Sequence, residues 1–199
     1  MKEKILLSIL IPSIPSRLHM LELLISKLQK QIGSLPVQIS CAIDNKKISI
    51  GEKRDNLIQT ASSDFVCFCD DDDDFSEDYI QELVVAIRNN PETDVVVFNQ
   101  RSYINDHQFT VNFGLEYENE PAQHPETNEF KSSITRKPFH VCAWRTELAK
   151  TSRFPHINYG EDDVWLRPLW KKAKSQHRIN KMLHFYRYSD SISEAKKDV

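Results

Sequence analysis

Residues 70–74 are five aspartates in a row, and their position makes them the first candidates for chemistry in this 199-residue chain. They follow Phe65-Val66-Cys67-Phe68-Cys69, a wholly apolar run that reads as a buried strand. Adjacent carboxylates repel one another, so their charge costs stability beside a buried segment unless a cation offsets it. Asp70 and Asp72, one residue apart, can converge at a turn after the strand. Oxygen-only ligands favour Mg²⁺ or Mn²⁺ over zinc, and an ion held by one or two carboxylates keeps positions for substrate phosphates. The plain alternative is a solvated acidic loop. A second acidic group, Glu161-Asp162-Asp163, follows Gly160 and opens a helical stretch, where the helix dipole favours the charged form. On its own it reads equally as a helix cap.

The elements that must carry these acids alternate. Residues 5–12 form a continuous apolar run suited to a strand covered on both faces. Ser16 is placed to cap a helix in which Leu18, Leu21, Leu24, Ile25 and Leu28 share one stripe, with Gly33 closing it. A second strand covers 37–43 and ends at Asp44-Asn45. A helix follows over 51–61 with Leu57, Ile58 and Ala61 as its apolar stripe. The third strand, 65–69, runs into the acids. Ser76 is placed to cap a helix over 77–88, and a fourth strand covers 94–99. Strand–helix alternation over the first hundred residues predicts an α/β sheet with parallel strands, whose ligands bind at the strands' carboxyl ends.

The second half is less regular. Residues 109–113, 139–144 and 182–188 read as strands, 115–137 as a loop, and 161–173 as a helix. We expect a single domain over 1–188, with a nucleotide-sugar half at 1–105 and an acceptor half at 106–188, and a polar tail at 189–199.

Composition narrows the classes. At 40% hydrophobic residues the chain can fill a core, and a net charge of −3 argues against binding a polyanion. No apolar stretch approaches the roughly 18–20 residues of a membrane span, and Met1-Lys2-Glu3-Lys4 opens no signal peptide. A soluble, cytoplasmic protein, or the soluble core of a longer one, is expected. Cys41, Cys67, Cys69 and Cys142 read as core or near-core thiols rather than zinc ligands. The four glycines form neither Gly-x-Gly-x-x-Gly nor a Gly-Lys-Ser/Thr segment. That argues against a dinucleotide-binding enzyme and a P-loop NTPase, and leaves side chains and a metal to hold phosphate.

Four segments together resemble the family 2 glycosyltransferases with the GT-A fold, a mixed, mostly parallel sheet flanked by helices. Residues 65–80 resemble that family's strand, DxD turn and following helix. Ser8-Ile9-Leu10-Ile11-Pro12-Ser13 resembles its opening strand and nucleotide-binding turn. Gly51-Glu52-Lys53-Arg54-Asp55-Asn56 resembles its Gly-x-x-x-Arg-Asn segment, with Asp55 inserted before Asn56. Residues 159–167 resemble its Gly-Glu-Asp…Trp…Arg motif. The resemblance implies an inverting transfer of a hexose or deoxyhexose from a UDP-, GDP- or dTDP-sugar to a hydroxyl of a glycan or other acceptor. Asp162 would be the general base and Glu161 would orient it or the acceptor. Pro12, Ser13, Arg17, Asp44, Arg54, Asp70 and Asp71 would contact the donor. Asp70, Asp72 and His184 would hold Mn²⁺ or Mg²⁺, with Asp73 beside them. Trp165 and Asp163 would face the acceptor.

Each assignment has a plainer rival. Arg17 and Arg54 read equally as surface cations, His184 and His140 as structural histidines, and Trp165 as core. The basic stretch 171–178 is a solvated helix end or a dock for an anionic acceptor, nucleic acid included, although the net charge opposes the latter. A sugar nucleotidyltransferase would share the sheet but needs a Gly-rich turn with Arg and Lys that Ile11-Pro12-Ser13-Ile14-Pro15 lacks. A non-catalytic glycan- or cation-binding domain would not need the Glu161-Asp162 pair.

Overall fold

The computed structural model describes residues 4–188; the tail expected at 189–199 lies outside them. The chain opens with β1 (Leu7–Ser13), a 3-10 turn (Pro15–Arg17) and α1 (Leu18–Ile32). β2 (Val37–Ile43), α2 (Ile50–Thr60) and β3 (Phe65–Phe68) follow. After the acidic turn come β4 (Asp74–Phe75), α3 (Tyr79–Asn89) and β5 (Val95–Ile104). The second half adds β6 (His107–Phe113), β7 (Ser133–Arg136), β8 (Ala143–Arg145), α4 (Thr146–Ala149), α5 (Glu161–Lys172) and β9 (Gln176–Tyr188).

β1 is buried along its whole length because it lies between β2 and β3, parallel to both. This is the doubly covered strand that its unbroken apolar run implies. The sheet is mixed, in the order β2-β1-β3-β8-β5-β6-β7, with β9 beside β5 and β4 beside β9. β3 and β5 are not neighbours, as simple alternation suggests. The short β8 runs antiparallel between them. The parallel strands β1 and β3 therefore end side by side, and the acidic turn leaves the sheet at that edge.

Several expected boundaries move for local reasons. Ser16 does not cap α1, whose N-terminus follows the 3-10 turn with no side-chain cap. Ser76 does not cap α3 either; its hydroxyl donates to Asp78, the residue at the cap position. Ser49 caps α2 by accepting from the Glu52 amide. Residues 139–142 turn rather than extend, with the Cys142 amide donating to the Phe139 carbonyl. β7 lies inside the expected 115–137 loop; it buries Ile134 against a polar background too weak to show a period. The basic stretch 171–178 is divided between the end of α5 and the start of β9, so it forms no single face. Its Arg178 is tied to Glu116 and Tyr117. Cys67, Cys69 and Cys142 are buried, but Cys41 is exposed on β2. Among the described residues no helix is long and apolar enough to cross a membrane.

Gly51 shows what the start of α2 requires. A Cβ there would stand 1.9 Å from the Pro155 carbonyl oxygen. The bare backbone lets the segment before α5 dock, and the Gly51 amide donates to Ile157 O at 3.1 Å. Asp55 fixes the same segment from one turn further on. It accepts from Arg153 Nε at 2.8 Å and from the Phe154 amide at 3.2 Å. The residue that interrupts the expected Arg-Asn pair is thus the anchor of the loop that delivers α5.

Candidate active site

Two charged clusters meet at the acidic turn. The first joins the ends of β1 and β2. Pro12 and Ser13 belong to β1 itself and the turn begins only after them, which corrects the expectation of a turn at Pro12-Ser13. The Ser13 hydroxyl donates to Asp71 Oδ2 at 2.6 Å. Arg17 spans Asp71, at 2.9 Å, and Asp72. Asp44 lies beyond β2, where its carboxylate accepts from the Ile48 amide at 3.1 Å and pairs with Lys53 at 2.5 Å. The Lys53 ammonium also donates to the Ser13 carbonyl at 2.9 Å and is only 4% exposed. Lys53 holds Asp44 below the usual carboxylate range, helped by the Ile48 and Lys47 amides. A buried lysine that ties two strand ends together has no sequence signature beyond its place in α2.

The second cluster brings distant segments together. Arg54 on α2 is 2% exposed and reaches Asp70 at 2.7 Å and Glu161 at 3.3 Å. Its Nη1 and Nε are buried without a hydrogen-bond partner among the described residues. His140 lies between Asp70 Oδ2 at 3.6 Å and Asp162 Oδ2 at 3.4 Å. The Phe68 amide donates to the His140 carbonyl, which pins the histidine beside the end of β3. Gly160, at φ 76°, turns the chain so that Glu161 and Asp162 begin α5 at the cluster.

The charges are tuned by these neighbours. Burial alone would raise the Asp70 carboxyl, but Arg54 and then His140 hold it well below the usual range. Burial likewise opposes the charge on Asp162, and the adjacent His140 ring, with the nearby Arg54, outweighs it, lowering its pKa. Asp72 is pushed up to about 6, by burial first and then by the Asp70 charge, against the pull of Arg17. Glu161 is raised, chiefly by burial.

A cavity of about 440 Å³ opens beside the acidic turn, and Arg54, Asp70, Asp73, His140, Glu161, Asp162 and His184 line it. Trp165 is not among its lining residues: it is wholly buried, stacked on Phe154 at 4.6 Å, with its indole N–H on the Ala149 carbonyl. It has no face to offer a sugar, which corrects its expected acceptor role. Asp163 is also absent from the lining and pairs with Arg167 at 2.6 Å along α5. Two exposed rings line the cavity, Tyr159 at 82% accessible and Tyr186 at 36%.

For a divalent ion, the residues fit in part. Among the described residues no three acid, imidazole or thiol groups converge to enclose one by themselves. Asp72 is held by Arg17 and does not line the cavity, whereas Asp73 lines it beside Asp70. Asp73 Oδ2 stands 3.1 Å from His184 Nε2, and that buried nitrogen makes no hydrogen bond. A carboxylate and an unsatisfied imidazole nitrogen side by side, with Asp70 close by, suit an ion completed by substrate phosphate and water.

Comparison with known proteins bears on the family and the fold. The model for glycosyl transferase family 2 matches residues 25–151. The crystal structure of S. aureus TarS superposes with a TM-score of 0.60 at 16% identity, covering 92% of this chain and 37% of that one. The TarS 1-349 fragment in complex with UDP-GlcNAc gives 0.59 at 15% identity, covering 96% and 62%. The same fragment with UDP gives 0.61 at 16%, covering 92% and 61%. The chain therefore spans less than two thirds of the length of these TarS chains. No curated protein matches it. The structural likeness carries the GT-A fold, and with the family match over residues 25–151 it establishes that this chain belongs to glycosyl transferase family 2.

Proposed function

We propose that the chain is an inverting, divalent-metal-dependent glycosyltransferase that moves a sugar from a nucleoside-diphosphate sugar to an acceptor hydroxyl. One observation carries this reading. A single cavity joins the acidic turn after β3 to Glu161 and Asp162, which lie about ninety positions later in the chain. The complex of TarS with UDP-GlcNAc supports a nucleotide-sugar donor here.

Asp162 takes the proton of the acceptor hydroxyl as its oxygen attacks the anomeric carbon. The new bond forms as the bond to phosphate breaks, and the electron pair leaves on the diphosphate. With one base and in-line attack, the anomeric centre inverts. Buried Arg54, with two nitrogens that lack a hydrogen-bond partner among the described residues, donates to an oxygen of the donor. His140 orients Asp162 against Asp70, and Glu161 steadies Arg54. A divalent cation held by Asp73 and His184, beside Asp70, would supply neutralisation of the leaving diphosphate's charge. The β1–β2 cluster around Ser13, Lys53 and Asp44 frames the nucleotide.

The test is a panel of UDP-, GDP- and dTDP-sugars with Mn²⁺ or Mg²⁺. A matching donor at about 100 times its Kd contributes roughly 2.7 kcal/mol, which raises the melting temperature of a chain this size by roughly 5–10 °C. Slow donor hydrolysis should accompany the shift and need the metal. A panel without any donor-dependent shift or hydrolysis sinks the transferase reading.

Tyr159 is the ring best placed to stack on an acceptor sugar. Tyr159→Ala should raise the acceptor KM about 3- to 10-fold, the range of one aromatic contact. Donor hydrolysis without acceptor should not change. An unaltered acceptor KM would remove Tyr159 from the acceptor site.

A further inference from the structure

We infer that Gln100 selects which ring nitrogen of His184 faces the acidic turn, and thereby makes a metal ligand of a buried histidine. The inference rests on the metal reading proposed above. His184 is 1% exposed, and its ring stacks on Phe75 at 5.0 Å with 29° between the planes. Burial and stacking leave it no route to swing out. β9 pairs with β5 through a register irregularity between Val97 and Gln100, and beyond it His184 stands directly opposite Gln100. Such irregularities re-aim side chains beside functional sites.

The two side chains meet at 2.9 Å, Gln100 Oε1 on His184 Nδ1. Gln100 is itself buried, and its Nε2 donates to Ser102 Oγ at 2.8 Å. A carbonyl oxygen only accepts, so Nδ1 carries the ring proton. The neutral ring then has a lone pair on Nε2, the atom 3.1 Å from Asp73 Oδ2 that makes no hydrogen bond. Two acceptors at that distance need a shared positive partner. An outer hydrogen bond to the far nitrogen is how proteins fix a ligating imidazole, and losing one typically weakens metal binding about 10- to 100-fold. Turned over, the Gln100 amide would put the proton on Nε2, and His184 would merely donate to Asp73.

Mn²⁺ binding to the full chain, followed by electron paramagnetic resonance without donor, separates these cases. Gln100→Leu should weaken Mn²⁺ binding about 10- to 100-fold. Gln100→Glu keeps an acceptor for the Nδ1 proton and should bind Mn²⁺ within about threefold of wild type, well inside that loss. If the Leu variant binds normally, or the Glu variant loses as much as the Leu variant, the role of Gln100 is overturned while the metal site stands. If wild type itself binds no Mn²⁺, the metal reading fails and takes this inference with it. A measurement on the unmodified chain guards against a variant that does not fold. Long-range ¹⁵N–¹H spectra, with the His184 ring assigned by its loss in His184→Gln, should show the Nδ1–H tautomer. Finding Nε2–H would overturn the inference.

Discussion

Asp162→Asn should lower transfer by about 10²–10⁴-fold, the usual contribution of a positioned base, and leave donor binding intact. The side chain lines the cavity at the first turn of α5 and faces His140 at 3.4 Å. Its other oxygen accepts from the Asp163 amide at 2.8 Å, so the carboxylate is held at the helix end. Asparagine keeps nearly the same shape and the same acceptor oxygen but cannot take a proton. The donor-dependent melting shift should therefore survive in the variant while turnover is lost. The lowered pKa of Asp162 has a further consequence. The base is already ionised above the ordinary aspartate value of about 3.9. Lowering the pH from 7 to about 5 should leave kcat/KM free of any loss from this group, with its limb falling below the ordinary carboxylate range. A variant that transfers at the wild-type rate would take the base assignment away from Asp162.

The first hundred residues were readable because their elements are strongly patterned. β1 and β3 are continuous apolar runs, and α1 and α3 bury regular stripes. Local pattern did not report on pairing order, so the insertion of β8 between β3 and β5 was invisible. β8 has only three residues, and tertiary neighbours set its place. β4 is shorter still and exists through its pairing with β9.

The site was legible where a residue type announces itself. The aspartate run and Glu161-Asp162 stand out in any reading. The partners that tune them do not. Lys53 looks like any surface lysine on a helix, yet it is buried on Asp44 and Ser13. Gln100 falls one residue beyond the strand expected at 94–99, which in the fold continues to Ile104. His140 becomes central because residues 139–142 turn instead of extending. Spacing favours Asp72 over Asp73 as the partner of Asp70, but it does not report which side chains reach each of them. Arg17 takes the first and His184 the second, and both partners come from other parts of the chain.

Arg54→Met should destabilise the fold by about 3–5 kcal/mol at neutral pH, the cost of removing one partner from a buried charge pair. For a chain of this size that lowers the melting temperature by roughly 6–20 °C. The guanidinium is 2% exposed, lies over the Phe68 ring at 5.1 Å, and joins Asp70 to Glu161. Methionine fills much of the same space but abandons both carboxylates. The loss should depend on pH. In wild type the depressed Asp70 contributes stability above the unfolded value of about 3.9, and that contribution disappears as pH falls through its folded value. Without Arg54 both carboxyls titrate higher in the folded state. The gap between variant and wild type should then be widest near neutrality and narrow toward about pH 4, where protonation removes the orphaned charges. Arg54→Lys should recover only part of the stability, because a point charge cannot fork between two acids and lie flat on a ring. A methionine variant melting within about 2 °C of wild type would mean the pair contributes no more than an exposed one. The same side chain spans α2, the end of β3 and the start of α5, so the cation that holds the two acidic segments in one cavity is also the one that keeps the fold from flying apart around them.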